Sequence, residues 1–317
     1  MTRNPDSDAL LTLGRALQRA AYRFTTVTPS THRRLNGRPR NECAVDLRGV
    51  FGWSRPFRPS LLEPDILAAM RAAGVVADEG ELLRSKVRAS TVGDLLVFHS
   101  AFPTDDDDAV FFGPDTYRFV GAMERTLAQL ERAPLRAVEI GCGAAPGAIV
   151  LARRFPNAEV WAADINERAL ALAAVNAQLA GTPQVRLCRS DLFDDLDGKY
   201  DVVLSNPPFI LDPDERTYRH GGGELGIGLS IRIVETALAR LQPGGRLLLY
   251  TGVAMTGADD PFLAAIAPRL QADCSHWSYE ELDPDIFGGQ LGEPGYEQVE
   301  RIAAVWLHAV RLGDGGA

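Results

Sequence analysis

From about residue 135 onward, short apolar runs alternate with stretches of helical periodicity, and this alternation restricts the chain to one fold class. Strands are predicted at 137–140, 159–163, 185–188, 202–204 and 246–250, and helices at 146–154, 167–179 and 229–241. Strands that alternate with helices run in the same direction, so they form a parallel sheet covered by helices on both faces. The prediction is an α/β fold built on a doubly wound sheet.

The tail of the chain predicts a different pairing. After a helix at 259–271, two further apolar runs lie near 274–279 and 302–311. The residues between them, 280–300, are rich in glycine, proline and acidic side chains. A closing antiparallel hairpin with a long insertion fits this pattern.

The first part of the chain follows another pattern and predicts a small α+β domain resembling a winged helix. Helices are predicted at 9–24 and 61–73, and strand-like runs at 82–87 and 95–98, joined by a turn at 92–94. We therefore divide the chain into residues 1–105, a substrate-recognition or lid domain, and residues 106–317, which carry the sheet. Residues 111–119 precede the first sheet strand, where a lid over a ligand could lie.

Charge is distributed unevenly between these parts. The whole chain carries a net charge of −9, but residues 1–60 contribute +7 and the remainder −16. The arginine-rich part could attract a polyanion, or it could be an ordinary solvated surface. Three aromatic residues lie among these arginines: Phe51, Trp53 and Phe57. They could stack on bases, but anchoring a loop to the core is the favoured interpretation.

Composition narrows the class of protein. No apolar run approaches the roughly 20 residues of a membrane helix, and no signal-peptide segment follows the first charges. Four cysteines and five histidines are scattered without metal-ligand spacing, so no metal site is expected. These features predict a cytoplasmic enzyme with reduced cysteines.

A rigid polar turn follows the strand predicted at 202–204. The residues are Ser205-Asn206-Pro207-Pro208-Phe209. The two prolines end the strand and stiffen the turn, which lies at the edge where open α/β folds bind ligands. The Asn206 side chain offers a carbonyl acceptor, and the carbonyl of Pro207 offers a second, so together they suit a planar –NH2 group. Phe209 could stack on a flat substrate.

A second polar set follows the other strands. Gly141 and Gly143 lie in the turn after the first strand, where glycine allows a tight turn and close approach to a ligand. Glu139 could hold a cationic amino group, Asp164 at the next strand end could bind ribose hydroxyls, and Asp191 after the third could accept from an adenine amino group. With Asn206, these residues follow four successive strands, and their joint placement fits a ligand with an amino acid end, a ribose and an adenine.

At these residues the chain resembles class I S-adenosyl-L-methionine-dependent methyltransferases, which have a Rossmann-like sheet. Within that class it looks like the branch with Asn-Pro-Pro-Tyr/Phe, which includes HemK-type protein glutamine N5-methyltransferases and RNA or DNA amino-group methyltransferases. The glycine-rich stretch from His220 to Leu229 is also similar to a segment of HemK-type enzymes. The resemblance covers about residues 110–255.

The resemblance implies a role for each matching residue. Asn206 and Pro207 would hold the target nitrogen as the catalytic pair. The implied cofactor-binding residues are Glu139, Gly141, Gly143, Asp164, Ile165, Asp191, Leu192 and Asn206. The substrate-binding candidates are Pro208, Phe209, Tyr117 and His220.

Two departures from the family pattern are visible. Ala145 replaces the third glycine of Gly-x-Gly-x-Gly. The usual Pro-x-x-Thr-Glu segment reads Gly113-Pro114-Asp115-Thr116-Tyr117, and the missing Glu weighs against a protein glutamine as substrate.

The predicted function is N-methylation of a planar amide or exocyclic amine by S-adenosylmethionine. The substrate could be a protein glutamine, a nucleic-acid base or a small biosynthetic molecule. Two other classes compete with this interpretation: an NAD-type oxidoreductase, and a non-catalytic S-adenosylmethionine-binding protein. Glu139 and the Asn-Pro-Pro-Phe turn weigh against the oxidoreductase, and the intact turn weighs against the non-catalytic protein.

Overall fold

The computed structural model describes residues 4–313. The helices are α1 (Ser7–Arg19), α2 (Pro29–Asn36), α3 (Leu47–Phe51), α4 (Pro64–Ala72), α5 (Pro114–Leu127), α6 (Pro146–Arg154), α7 (Glu167–Leu179), α8 (Gly228–Arg240) and α9 (Pro261–Asp273). The strands are β1 (Val76–Glu79), β2 (Leu82–Ser85), β3 (Val87–Val92), β4 (Leu95–Ser100), β5 (Arg136–Ile140), β6 (Glu159–Asp164), β7 (Arg186–Arg189), β8 (Tyr200–Ser205), β9 (Leu241–Met255), β10 (Cys274–Asp283) and β11 (Arg301–Arg311).

Seven strands form one mixed sheet in the order β10-β11-β9-β8-β5-β6-β7. The pairs among β5, β6, β7, β8 and β9 are parallel, which confirms the doubly wound prediction. β10 and β11 add an antiparallel hairpin next to β9, as the tail predicted. The strand order reverses between β5 and β8, and ligands of open α/β sheets bind at such a reversal.

Burial and capping explain why these residues form these elements. All six residues of β8 except Asp201 are buried, as expected for a strand with helices on both faces. α7 begins where the Asn166 side chain accepts hydrogen bonds from the backbone N–H groups of Arg168 and Ala169. α9 begins in the same way at Asp260, which accepts from the N–H of Leu263 at 2.7 Å.

The N-terminal region corrects the predicted hairpin. The run 82–87 does not pair with 95–98 as one strand, because it is divided between two hairpins. β2 pairs with β1 across a turn at Gly80, and β3 pairs with β4 across a turn at Gly93. Both glycines have positive φ, so each allows a tight turn. The change of partner falls at Lys86, whose N–H donates to the carbonyl of Val75.

The N-terminal region packs directly on α7 of the sheet-bearing part. The side chain of Asn176 in α7 both donates to the carbonyl of Phe98 in β4 and accepts from its N–H, at 3.0 and 2.8 Å. A methyl group on Gly14 of α1 would come within 2.5 Å of the Leu179 side chain, so the two helices touch closely. The division at residue 105 stays a prediction, and residues 1–3 and 314–317 of the two predicted domains lie outside the described residues.

The aromatic residues of the arginine-rich stretch belong to the core. Phe51 and Phe57 are completely buried, and Trp53 is half-buried with its ring edge-on to Phe24. This confirms the anchoring interpretation. Between residues 4 and 313, none of the helices combines the length and apolar composition that crossing a membrane requires.

Candidate functional site

A cavity of about 640 Å³ opens at the carboxyl ends of the parallel strands, where the strand order reverses between β5 and β8. It collects nearly every residue that the sequence singled out. The predicted residues that line it are Glu139, Gly141, Gly143, Asp164, Ile165, Asp191, Leu192, Asn206, Pro207, Pro208 and Phe209. Their chemical roles stay predictions, but their convergence on one cavity supports a single site.

The glycine-containing turn after β5 is held in shape by Asp164, at the end of the neighbouring strand β6. Gly141 and Gly143 have φ values of 64° and 53°, which only glycine adopts without strain. Asp164 accepts from the N–H of Gly143 through Oδ2 at 2.8 Å and from the N–H of Asn166 through Oδ1 at 2.9 Å. Burial raises the pKa of Asp164, although these hydrogen bonds oppose the rise. The carboxylate therefore shapes the turn before any ligand arrives.

Ala145 adopts a backbone conformation that favours glycine. Its φ of 59° and ψ of 38° lie in the left-handed region, directly before α6. For a residue with a Cβ this conformation costs about 1–2 kcal/mol.

Glu139 is a buried carboxyl group without a cationic partner. It is 2% exposed, and its two oxygens accept from the N–H groups of Gly147 at 3.2 Å and Ala148 at 2.7 Å, at the start of α6. Burial raises its pKa to about 8, the two hydrogen bonds oppose that rise, and the nearby Asp164 adds to it. No lysine, arginine or histidine among residues 4–313 forms an ion pair with it.

These groups fit S-adenosylmethionine. Burial favours the neutral, protonated form of the Glu139 carboxyl group, and a cationic amino group that enters the cavity would supply the counter-ion for its charged form. A Cβ on Gly141 would meet no atom within 4 Å, so that backbone faces open space. Asp191 also lines the cavity and is exposed, with Arg232 3.7 Å from its Oδ1. The cavity thus offers a buried and an exposed carboxyl group, which suits a long ligand with an amino acid at one end.

Asn206 differs from these carboxylates because its side chain is uncommitted. Within the described part of the chain, no residue donates to its amide oxygen or accepts from its amide nitrogen. Nor does any described backbone N–H donate to the carbonyl of Pro207. The preceding Ser205 fixes the position of the turn, because its Oγ donates to the carbonyl of Ile140 at 2.8 Å. Two free acceptors are therefore held at a fixed place beside the glycine turn.

Phe209 and the glycine-rich segment pack closely together. A Cβ on Gly252 of β9 would come within 2.3 Å of the Phe209 ring, so glycine leaves room for the ring there. A Cβ on Gly221 or Gly226 would meet backbone atoms at 1.9 and 2.4 Å. Because these two residues are glycines, the segment 220–229 can lie directly on the turn that carries Phe209. The Phe209 ring also meets Phe287 edge-on at 5.5 Å, and both line the cavity.

Two predicted substrate-binding residues do not line the cavity. The Tyr117 hydroxyl accepts from the N–H of Thr26 at 2.9 Å, and its ring packs edge-on against Phe112. His220 accepts from the N–H of Asp212 through Nδ1 at 3.2 Å. Both side chains are engaged in holding the loops around the site, because each has a backbone N–H as its partner.

The structure also adds cavity residues that the sequence did not single out. Asp115 is 3% exposed and accepts from the Tyr250 hydroxyl at 2.6 Å, and burial raises its pKa. It lies in the segment 111–119, where the sequence suggested a lid, and that position is the signal by which it could have been found. Further cavity residues come from distant segments with no local motif, among them Arg33, Phe102, Arg216, Arg219 and Phe287.

Comparisons with known proteins identify the class. The family model described as the methyltransferase small domain matches residues 123–257. The chain is 33% identical over 196 residues to the release factor glutamine methyltransferase of Deinococcus radiodurans, covering 58% of this chain and 66% of that protein. It is 31% identical over 149 residues to the ribosomal protein uL3 glutamine methyltransferase of Neisseria meningitidis, covering 43% of this chain and 48% of that protein.

A third relative is matched across about three quarters of its length. The chain is 30% identical over 227 residues to the release factor glutamine methyltransferase of Rhodopirellula baltica, covering 66% of this chain and 74% of that protein. Fold, site and this match define a class I S-adenosylmethionine-dependent methyltransferase. Within that class, the chain belongs to the Asn-Pro-Pro-Tyr/Phe branch that includes the HemK-type enzymes. It spans between about half and three quarters of the length of these curated relatives.

Proposed function

We propose that this chain transfers a methyl group from S-adenosylmethionine to the side-chain amide nitrogen of a protein glutamine. The observation that carries the proposal is the pair of free acceptors, the Asn206 side-chain oxygen and the Pro207 carbonyl, beside a cavity that fits the cofactor. The named activities of the relatives favour glutamine, and their substrates, a release factor and a ribosomal protein, favour a protein of the translation apparatus.

The chemical difficulty lies in the nucleophile. An amide nitrogen is a poor nucleophile because its lone pair is delocalised into the carbonyl group. Two hydrogen bonds, from its N–H groups to the oxygens of Asn206 and Pro207, would favour a pyramidal nitrogen with the lone pair directed at the methyl carbon. Once bound, the cofactor supplies a methyl group already activated by the sulfonium.

The remaining contribution of the protein is positioning. Holding the two reactants in line contributes roughly 7–11 kcal/mol to lowering the barrier. The turn that carries Asn206 is suited to this task, because two prolines stiffen it and Ser205 ties it to the end of β5. Phe209 and Phe287 would wall the amide plane on the substrate side.

The test is transfer of labelled methyl from S-adenosylmethionine into fractionated lysate, followed by proteolytic digestion and mass spectrometry of the labelled peptides. We expect label in the protein fraction as N5-methylglutamine. A peptide spanning the labelled site should accept label, whereas the same peptide with asparagine in place of glutamine should not, because the shorter side chain does not reach the two acceptors. Label in nucleic acid or in small metabolites instead would reject glutamine as the substrate.

A further inference from the structure

The arginines of the N-terminal region differ from the other arginines in their partners. Within residues 4–313, none of the ten arginines before residue 60 forms an ion pair, whereas thirteen of the twenty that follow do. Nine of the ten are exposed, so most of the excess positive charge of this region faces solvent in a protein whose net charge is −9.

Four of these arginines lie within eight residues of each other. Arg33 and Arg34 are in α2, and Arg38 and Arg40 belong to the short 3₁₀ turn that follows. All four are exposed, and none of their side chains has a hydrogen-bond or ion-pair partner in the part of the chain that the structure describes. We call them the basic segment.

The basic segment is held rigidly from beneath. His32, which is completely buried, and Asn36 each contact the carbonyl of Trp53 at 2.8 Å. The turn is fixed by Asn41, whose side-chain amide donates to the carbonyl of Leu35 at 2.7 Å. Because the backbone is already ordered, binding a ligand to these arginines costs mainly side-chain entropy.

The basic segment also lies at the edge of the catalytic cavity. Pro29 and Arg33 line that cavity, and so does Phe102. The His32 ring stacks on Phe102 with ring centroids 4.0 Å apart. A molecule held by the arginines is therefore next to the site of transfer.

We propose that the basic segment binds the phosphate backbone of RNA that accompanies the methylated protein. The proposal rests on the proposed function for its choice of RNA, because the favoured substrates are proteins of the translation apparatus. A nucleic acid is favoured over an acidic protein because protein interfaces need buried apolar or aromatic anchors. The exposed large apolar side chains of the described chain are Val45, Leu135 and Ile165, and none lies between residues 29 and 41. Phosphate binding needs charge alone.

The test measures RNA binding directly, without cofactor or methyl transfer. A fluorescent RNA hairpin is titrated with the wild-type protein and with the triple variant R34Q/R38Q/R40Q, followed by anisotropy over a range of salt concentrations. If each arginine contacts one phosphate, the slope of log K against log[salt] should fall by about two to three. At about 0.1 M salt, the affinity should fall on the order of a hundredfold.

Matched controls separate position from charge. The triple variant R125Q/R132Q/K199Q removes the same charge from exposed residues that have no partner between residues 4 and 313, and it should bind RNA nearly as the wild type does. R34K/R38K/R40K should retain most of the affinity, because lysine still provides the charge. Equal melting temperatures of all variants show that they are folded.

Several outcomes would overturn the proposal. Equal losses in the two glutamine variants would mean that net charge, and no particular surface, attracts RNA. If polyglutamate displaces the RNA at equal charge concentration, the preferred partner is an acidic protein. If a DNA hairpin of the same sequence binds more tightly than the RNA hairpin, RNA is rejected as the partner. Methyl transfer to the glutamine peptide is measured separately, and R34Q/R38Q/R40Q should leave it unchanged. A failure of that transfer in the wild type counts against the proposed function and leaves the RNA result to stand alone.

Discussion

The two ends of the catalytic cavity use their polar groups in opposite ways. At the cofactor end, Glu139 and Asp164 are largely buried, and each of their four carboxylate oxygens accepts a hydrogen bond from a backbone N–H group. At the transfer end, Asn206 has no partner in the described chain, and only its backbone neighbours are fixed. The difference indicates that one end is shaped to recognise a constant ligand, while the other keeps its hydrogen-bonding capacity for the substrate.

Substitution of Asn206 tests the transfer end most strongly. We expect Asn206→Ala to lower the single-turnover rate of methyl transfer by about 10²- to 10³-fold, the loss typical of one group that stabilises the transition state. Cofactor affinity, measured by calorimetry, should change little, because the side chain makes no contact that shapes the cofactor end. A parallel loss of cofactor binding would show that the two ends are not separate.

Glu139→Gln tests the cofactor end. Loss of the carboxylate should weaken S-adenosylmethionine binding by about tenfold to a hundredfold, since a hydrogen bond to a charged group contributes about 1.5–3 kcal/mol. The side-chain NH2 group of the glutamine would also face the backbone N–H of Gly147 or Ala148, so that two donors oppose each other.

The raised pKa of Glu139 adds a dependence on pH. With a pKa of about 8 in the free protein, the carboxyl must lose a proton to pair with a cationic ligand. Cofactor affinity of the wild type should therefore rise as the pH increases from 6 toward 8, by up to about tenfold per pH unit, and then level off. The Gln variant should lack this slope, and an equal slope in both proteins would assign the titration to another group.

The same shift predicts the stability of the free protein. A carboxyl whose pKa is raised on folding holds its proton more tightly in the folded state. Its contribution to the free energy of unfolding is complete below its ordinary pKa and declines as the pH rises through about 8. Denaturant titrations of wild type and Glu139→Gln at several pH values check this, because the decline should be smaller in the variant.

Two glycine substitutions should separate the two ends with matched changes. In Gly147→Ala the added Cβ would lie 2.6 Å from Oε1 of Glu139, and in Gly252→Ala it would lie 2.3 Å from the Phe209 ring. Overpacking costs about 1–3 kcal/mol, so both variants should unfold at lower denaturant concentration. Gly147→Ala should weaken cofactor binding, whereas Gly252→Ala should slow transfer at saturating cofactor. The same functional loss in both would contradict the division of the cavity.

Ala145→Gly should have the smallest effect, and in the opposite direction. Relief of the left-handed conformation should exceed the entropic cost of glycine and raise the free energy of unfolding by about 0.5 kcal/mol. The control is Ala152→Gly, further inside α6, which should lower it by about 1 kcal/mol, as glycine does in a helix interior. Destabilisation by Ala145→Gly would show that the Cβ packing of this buried residue outweighs the strain.

Much of the fold was predictable because the strands and helices of the sheet-bearing part are marked by local sequence patterns. The helices at 146–154 and 167–179 were predicted with the bounds that the structure shows, since the first begins at Pro146 and the second at the capping side chain of Asn166. The N-terminal hairpins were predicted less well, because the strand-like run from Leu82 to Val87 conceals the change of partner at Lys86. Strand pairing there depends on which neighbour is available, and the local sequence does not record that.

The site divides in the same way. Residues that follow strand ends, such as Glu139, Asp164 and Asn206, could be placed from the sequence, because parallel strands bring their carboxyl ends to one edge. For Tyr117 and His220 the sequence did not show what only the folded loops show, that the Tyr117 hydroxyl and His220 Nδ1 have backbone N–H partners. Arg33 and Phe287 approach the cavity from segments about 250 residues apart, and no local pattern indicates such a meeting.

The sequence by itself determined the parallel sheet, the edge at which the polar turns meet and the branch of methyltransferases to which the chain belongs. Each of these follows from period, spacing and turn chemistry, which act over a few residues. The tertiary structure alone decided which side chains remain free and which are committed. Whether a carboxylate meets a cation or a helix N-terminus, and whether an arginine meets an acid or solvent, depends on contacts between distant segments that form only when the chain packs.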